Sequence, residues 1–162
     1  MVSACLLGIH CRYDGGHSAC SDLMELIPSV SLIPFCPEQL GGLSTPRSPA
    51  NMTGGDGYDI LAAKAKVINA DGHDVTQAFV KGAEEANAIA LVLKASIAIM
   101  KDRSPSCGIN TPVYEKPVGY GVGVTAALFN SRGIKLFEVT KGGHFSCRKF
   151  QTFLEQFNDF WK

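Results

Sequence analysis

Short apolar runs punctuate this chain, and several of them end abruptly at a cysteine, proline or glycine. Met1 to Cys5, Val30 to Phe35, Ala65 to Asn69, Ile97 to Met100 and Ile134 to Val139 have the length and apolar content of strands. Pro37 has no N–H for a ladder, so the second strand must stop before it. The longest amphipathic stretch runs from about Val75 to Lys94. There Val75, Phe79, Ala83, Ala86, Ala90 and Leu93 fall on one helical stripe. Asp74 with Gln77 reads as a capping box for that helix. Gly82 inside it costs about 1 kcal/mol relative to alanine, which suggests close contact with a sheet.

Three further helices are expected. One spans Asp22 to about Pro28 behind a Ser21 cap, and one spans Val124 to Ser131 with Gly133 just past its end. A tail helix from about Phe150 carries Phe153, Leu154, Phe157, Phe160 and Trp161. Residues 37 to 59 and 102 to 124 are rich in glycine and proline, and read as long connections of the binding-loop kind. Strands alternating with helices predict a single-domain, three-layer Rossmann-like α/β fold. Its one sheet is mostly parallel, with helices on both faces.

Composition narrows the function classes. The chain has 162 residues, 46% hydrophobic and 19% charged, as in a globular domain. Fifteen basic residues balance fifteen acidic ones, which argues against a large nucleic-acid footprint. Local basic groups at Arg12, Arg47, Lys101 and Arg103 remain available for a phosphate. No stretch approaches the roughly 20 apolar residues of a membrane helix, and no leader pattern opens the chain, so a cytoplasmic protein is expected. In that compartment the six cysteines do not read as a disulfide framework.

Candidate chemistry gathers at strand ends. Cys5 closes the first run, Cys36 follows the second, and Cys107 lies in the loop after the strand at Ile97 to Met100. Ligands bind at the C-terminal edge of open α/β sheets, so the three thiols are expected to converge there. Three thiolates suit zinc or an iron–sulfur cluster and leave one coordination position open; inert buried thiols are the plainer alternative. Cys11 competes with Cys5 as a ligand, whereas Cys20 and Cys147 read as structural. Glu38 suits proton transfer beside Cys36, or is a solvated loop residue. Ser104 is a substrate or proton-relay hydroxyl, or simply the turn residue before Pro105. Arg12-Tyr13-Asp14 is either a structural ion pair or a phosphate or base contact. His10, His17, His73 and His144 form no ligand pair.

Taken together, several motifs carry a resemblance. They are Val2-Ser-Ala-Cys-Leu-Leu-Gly8, Cys11-Arg-Tyr-Asp-Gly15, Cys36-Pro-Glu38, Gly41-Gly-Leu43, Thr45-Pro-Arg47, Asp74-Val-Thr76 and Ser104-Pro-Ser-Cys-Gly108. In this order, over roughly residues 1 to 139, they resemble the TudS-type thiouracil desulfidases. The resemblance implies a [4Fe-4S] cluster on Cys5, Cys36 and Cys107, with one iron not ligated by protein. It implies Glu38 and Ser104 as acid–base partners, and Arg12, Arg47 and Arg103 as substrate contacts. The implied reaction is non-redox desulfidation of thiolated uracil, as free base or nucleotide, giving uracil and hydrogen sulfide. Two departures from the family stand out: Asn51, where an acidic residue is common, and a divergent tail over residues 141–162. The rival readings are a metal or redox-sensing module holding zinc, and a metal-free nucleotide-binding module.

Overall fold

The computed structural model describes residues 1–24, 31–114, 119–140 and 147–155. In chain order its strands are β1 (Val2–Ser3), β2 (Pro34–Phe35), β3 (Ala50–Thr53), β4 (Lys66–Asn69), β5 (Ile97–Lys101), β6 (Thr111–Tyr114), β7 (Gly119–Gly121) and β8 (Lys135–Val139). The helices are α1 (Ser21–Met24), α2 (Pro37–Leu40), α3 (Gly57–Leu61), α4 (Thr76–Val92), α5 (Val124–Ser131) and α6 (Cys147–Glu155). A 3₁₀ turn over Ala4–Leu7 follows β1 directly.

The α/β class holds, but the expected single sheet is two sheets among the described residues. The first has the order β2-β1-β5-β8 with every pair parallel. The second has the order β4-β3-β6-β7, with antiparallel outer pairs around the parallel β3–β6 pair. Three strands of this second sheet lie in the segments expected to be open connections. Residues 37–59 hold α2, β3 and the start of α3, while residues 102–124 hold β6 and β7. Their strand conformation comes from pairing across the sequence, as in Met52 with both Val67 and Val113, which a local apolar pattern does not reveal.

Other expectations are adjusted in detail. The run ending at Phe35 is strand only at Pro34 and Phe35, and Val30 lies outside the described residues. Ser21 sits inside α1 rather than capping it, and the rest of that expected helix, residues 25–28, is likewise outside them. No capping box opens α4. Asp74 instead accepts from the Thr76 N–H at 3.0 Å and pairs with Lys66, so the helix starts at Thr76. Leu93 falls beyond the last turn and is exposed. Gly82 does make a close contact, with α2 rather than with a sheet.

Apolar residues pack on both faces of the first sheet. Phe35, Ala98 and Met100 meet Ala86 and Ala90 of α4 and Phe129 of α5. Val2, Ile99 and Val139 meet Leu6, Leu23 and Phe150 on the other side. The tail helix docks there, with the rings of Phe150 and Phe153 against Phe137 at 5.1 and 5.3 Å. The expected contributions of Phe157, Phe160 and Trp161 lie outside the described residues, as does the side chain of Leu154. A third core group, including Met52, Val67, Val113, Ile60, Phe79 and Val124, joins the second sheet to α3, α4 and α5. No helix among the described residues is long and apolar enough to cross a membrane.

Candidate active site

Strands β2, β1 and β5 lie side by side and run parallel, so their C-terminal ends share one edge. Each end leads to one of the expected cysteines. Cys5 is in the 3₁₀ turn after β1, Cys36 links β2 to α2, and Cys107 follows β5. All three line one cavity of about 440 Å³, together with Cys11, Glu38 and Ser104. That volume falls within the roughly 300–1,000 Å³ of small-molecule sites. The expected convergence at the sheet edge is therefore present.

Cys36 occupies the N-cap position of α2, with Pro37 supplying the first helical turn, rather than an open loop. This short helix turns Glu38 back toward the thiol. Cys36 Sγ lies 3.4 Å from Glu38 Oε2 and donates to it. Ser104 Oγ donates to Glu38 Oε1 at 3.4 Å, bridging α2 to a loop 66 residues further along the chain. The same hydroxyl accepts from the backbone N–H groups of Ser106 and Cys107 at 3.2 and 3.0 Å. Ser104 is thus both the turn residue and the partner of Glu38.

Cys11 stands between two of the other thiols. It is within hydrogen-bond reach of both Cys36 and Cys5, and Cys36 Sγ also lies 3.7 Å from its carbonyl oxygen. The Cys36 contact lowers the Cys11 pKa, but the Cys5 contact, burial and the Cys5 and Glu38 charges outweigh it and raise it to about 11. The Cys36 thiol is pushed well up by its contact with Cys11, by burial and by the Glu38 charge. Burial raises the Cys107 pKa, with the Glu38 and Cys36 charges adding to it, against hydrogen bonds from Ser3 and Ser104. Thiols in such surroundings become thiolates only when a positive group joins them.

The three arginines differ. Arg47 reaches inward: Nη1 donates to the Cys11 carbonyl at 3.1 Å, and Nη2 faces Glu38 Oε1 at 4.0 Å. Arg12 lines the cavity with its guanidinium held by Asp14 at 2.8 and 3.1 Å and by Ser18 at 2.7 Å. Arg103 is exposed at the rim, on a backbone with φ of +50°. Asn51 also lines the cavity, and Cys20 lies away from it in the core beside Leu23. The side chain of Cys147 and all of His144 are outside the described residues.

Two participants were not singled out from sequence as site residues. Ser3 Oγ accepts from the Lys101 N–H at 3.1 Å and reaches the Cys107 thiol. Asp102 is 5% exposed in the cavity wall, with Lys101 folded against it. The position of Ser3, two residues before Cys5 on a strand leading to the site, was the available signal.

Four thiols, a carboxylate and a hydroxyl around one ring-sized space can hold a thiophilic group and move a proton beside it. No three His, Cys, Asp or Glu side chains among the described residues are placed to hold a metal ion. Comparison with known proteins agrees with this chemistry. An uncharacterized protein, YbbK, of Bacillus subtilis (strain 168) is 42% identical over 139 residues, covering 84% of this chain and 92% of that protein. The solved structure of the [4Fe-4S]-dependent thiouracil desulfidase TudS matches with a TM-score of 0.70 and 38% identity, covering 85% of this chain and 87% of that one. A family model described as 2-thiouracil desulfurase matches residues 1–141, and the chain belongs to that family.

Proposed function

We propose that this protein removes sulfur from thiolated uracil, as the free base or a nucleotide, giving uracil and hydrogen sulfide. The observation that carries the reading is the shared cavity: thiols from three adjacent strand ends, with Glu38 hydrogen-bonded to both Cys36 and Ser104. We assign a [4Fe-4S] cluster to Cys5, Cys36 and Cys107, with one iron not ligated by protein. The family resemblance carries this assignment; Cys11, within reach of both Cys5 and Cys36, is the competing ligand. When bound, the cluster supplies a thiophilic Lewis acid for the exocyclic sulfur.

The chain's own groups supply the rest. Glu38 takes a proton from the water that attacks the thiocarbonyl carbon, and returns it as the C–S bond breaks. Oxygen from water replaces sulfur, sulfur leaves as hydrogen sulfide, and no electrons are transferred to or from an outside partner. Ser104 keeps Glu38 directed into the cavity, and Arg47 faces the same carboxylate oxygen. Arg103 at the rim suits the phosphate of a nucleotide, while Arg12 braces the loop that carries Cys11. We read the first sheet with its helices as the three-layer Rossmann-like core. Free thiols at all five cysteines whose side chains are described suit a cytoplasmic setting.

Anaerobic reconstitution tests the proposal. The expected protein is brown, holds about four iron and four sulfide per chain, and releases sulfide from 2-thiouracil or 4-thiouridine monophosphate. Stoichiometric zinc would support the sensor reading instead. Nucleotide binding by a metal-free protein without sulfide release would support a binding module.

A further inference from the structure

Lys101 and Asp102 form an ion pair in the cavity wall that the desulfidation scheme leaves unused. Lys101 Nζ lies 2.6 Å from Asp102 Oδ1 and 2.6 Å from the Asp102 carbonyl oxygen. The two side chains are only 12% and 7% exposed. Burying two charges is costly, and the cost is repaid only with good geometry and further hydrogen bonds. Among the described residues Lys101 Nζ has contacts to Asp102 only, and an ammonium has three donors, so one remains for a ligand. The place is well chosen: the Lys101 backbone is fixed to Ser3 Oγ, the hydroxyl that also reaches the Cys107 thiol.

We propose that Lys101 and Asp102 are the base-reading pair, the ammonium donating to a ring carbonyl oxygen and the carboxylate accepting the adjacent ring N–H. This rests on the thiouracil reading. A thiolated uracil has one edge in which N3–H lies between the thiocarbonyl and the remaining carbonyl. A donor beside an acceptor matches that carbonyl and N3–H together. Turning the ring over presents the same pattern whether sulfur is at C2 or at C4. The pair therefore fixes the ring while the sulfur faces the thiols, and it selects ligands with an unsubstituted N3. A pocket built to satisfy a ligand N–H rejects analogues that lack it, because its own buried polar groups are left unpaired.

Binding of uracil, which is not turned over, tests this on the anaerobically reconstituted protein by calorimetry. Wild type should bind uracil and bind 3-methyluracil at least about tenfold more weakly. Lys101→Met keeps most of the side chain's length and removes its charge. It should lose about tenfold or more in uracil affinity, raise KM for 2-thiouracil more than it lowers kcat, and leave the cluster absorbance unchanged. Equal wild-type affinity for uracil and 3-methyluracil overturns the proposal, as does absence of uracil binding or a fully binding Lys101→Met. Should Lys101→Met fail to fold, the comparison of the two ligands on wild type decides alone. A wild type that discriminates between the ligands but releases no sulfide would keep the pair and overturn desulfidation instead.

Discussion

A β-carbon at Gly82 of α4 would lie 1.9 Å from the carbonyl oxygen of Pro37 in α2. The contact is reciprocal, since a β-carbon at Gly41 would lie 2.0 Å from the Ala78 carbonyl oxygen. The two helices therefore meet backbone to backbone, and α2 carries Glu38 directly behind Cys36. In an exposed helix Gly→Ala gains about 1 kcal/mol. Here Gly82→Ala should instead destabilise the protein by about 1–3 kcal/mol, because backbone has to move. The denaturant midpoint should fall, and iron retention after reconstitution should fall with it. A raised midpoint would show that α2 tolerates displacement.

The ligand assignment predicts a graded cysteine series. Cys5→Ser, Cys36→Ser and Cys107→Ser should each lose most bound iron after anaerobic reconstitution, while Cys20→Ser stays near wild type. Cys20 lies in the core beside Leu23, away from the cavity. Cys11→Ser is the critical comparison, because the Cys11 thiol reaches both Cys5 and Cys36. It should retain iron. If it loses iron while Cys5→Ser keeps it, Cys11 is the third ligand.

The parts of this fold that were legible in the sequence are those whose signals are local. Helix α5 has the expected ends, Val124 and Ser131, because its apolar content and the following Gly133 at φ +80° mark both of them. Strand β5 has four consecutive apolar residues before Lys101. The second sheet was not legible, since Ala50-Asn-Met-Thr53 becomes a strand only by pairing with β4 and β6. At the site, cysteines just past apolar runs could be placed at strand ends, and those ends share an edge. The Arg12–Asp14 ion pair was one of two readings of that motif and is the one present, whereas the Ser18 contact has no sequence signal. Nor does the sequence show that Lys101 turns back onto Asp102, since a Lys-Asp-Arg sequence after a strand looks like a solvated turn.

Acid should weaken two loops together. Asp14 is held down to about 2 from an ordinary 3.8 by Arg12 and then by the Gly16 N–H. Asp74 is held down to about 2 by Thr76, side chain and backbone, and by Lys66. A carboxylate with a lowered folded-state pKa stabilises fully above its unfolded pKa, and that stability is lost as pH falls through the folded one. Stability should therefore decline from about pH 4 toward pH 2. The double variant Asp14→Asn with Asp74→Asn should show a shallower decline over the same interval in thermal melts. An identical slope would mean that neither pair contributes in solution.

Glu38 separates catalysis from cofactor binding. Its carboxylate receives Cys36 Sγ and Ser104 Oγ at 3.4 Å each and faces Arg47, so it is fixed at the thiol edge of the cavity. Glu38→Gln preserves size and most hydrogen-bonding shape but removes the proton acceptor. The variant should reconstitute with wild-type iron content and absorbance, and lose about 10² to 10⁴-fold in sulfide release from 2-thiouracil. Ser104→Ala should cost less, because Arg47 still faces the carboxylate. It should nevertheless loosen the loop that carries Cys107, whose N–H loses its acceptor. Sulfide release measured on variants matched for iron separates the two effects. Undiminished turnover by Glu38→Gln would remove the carboxylate from the reaction and leave it as a brace for α2.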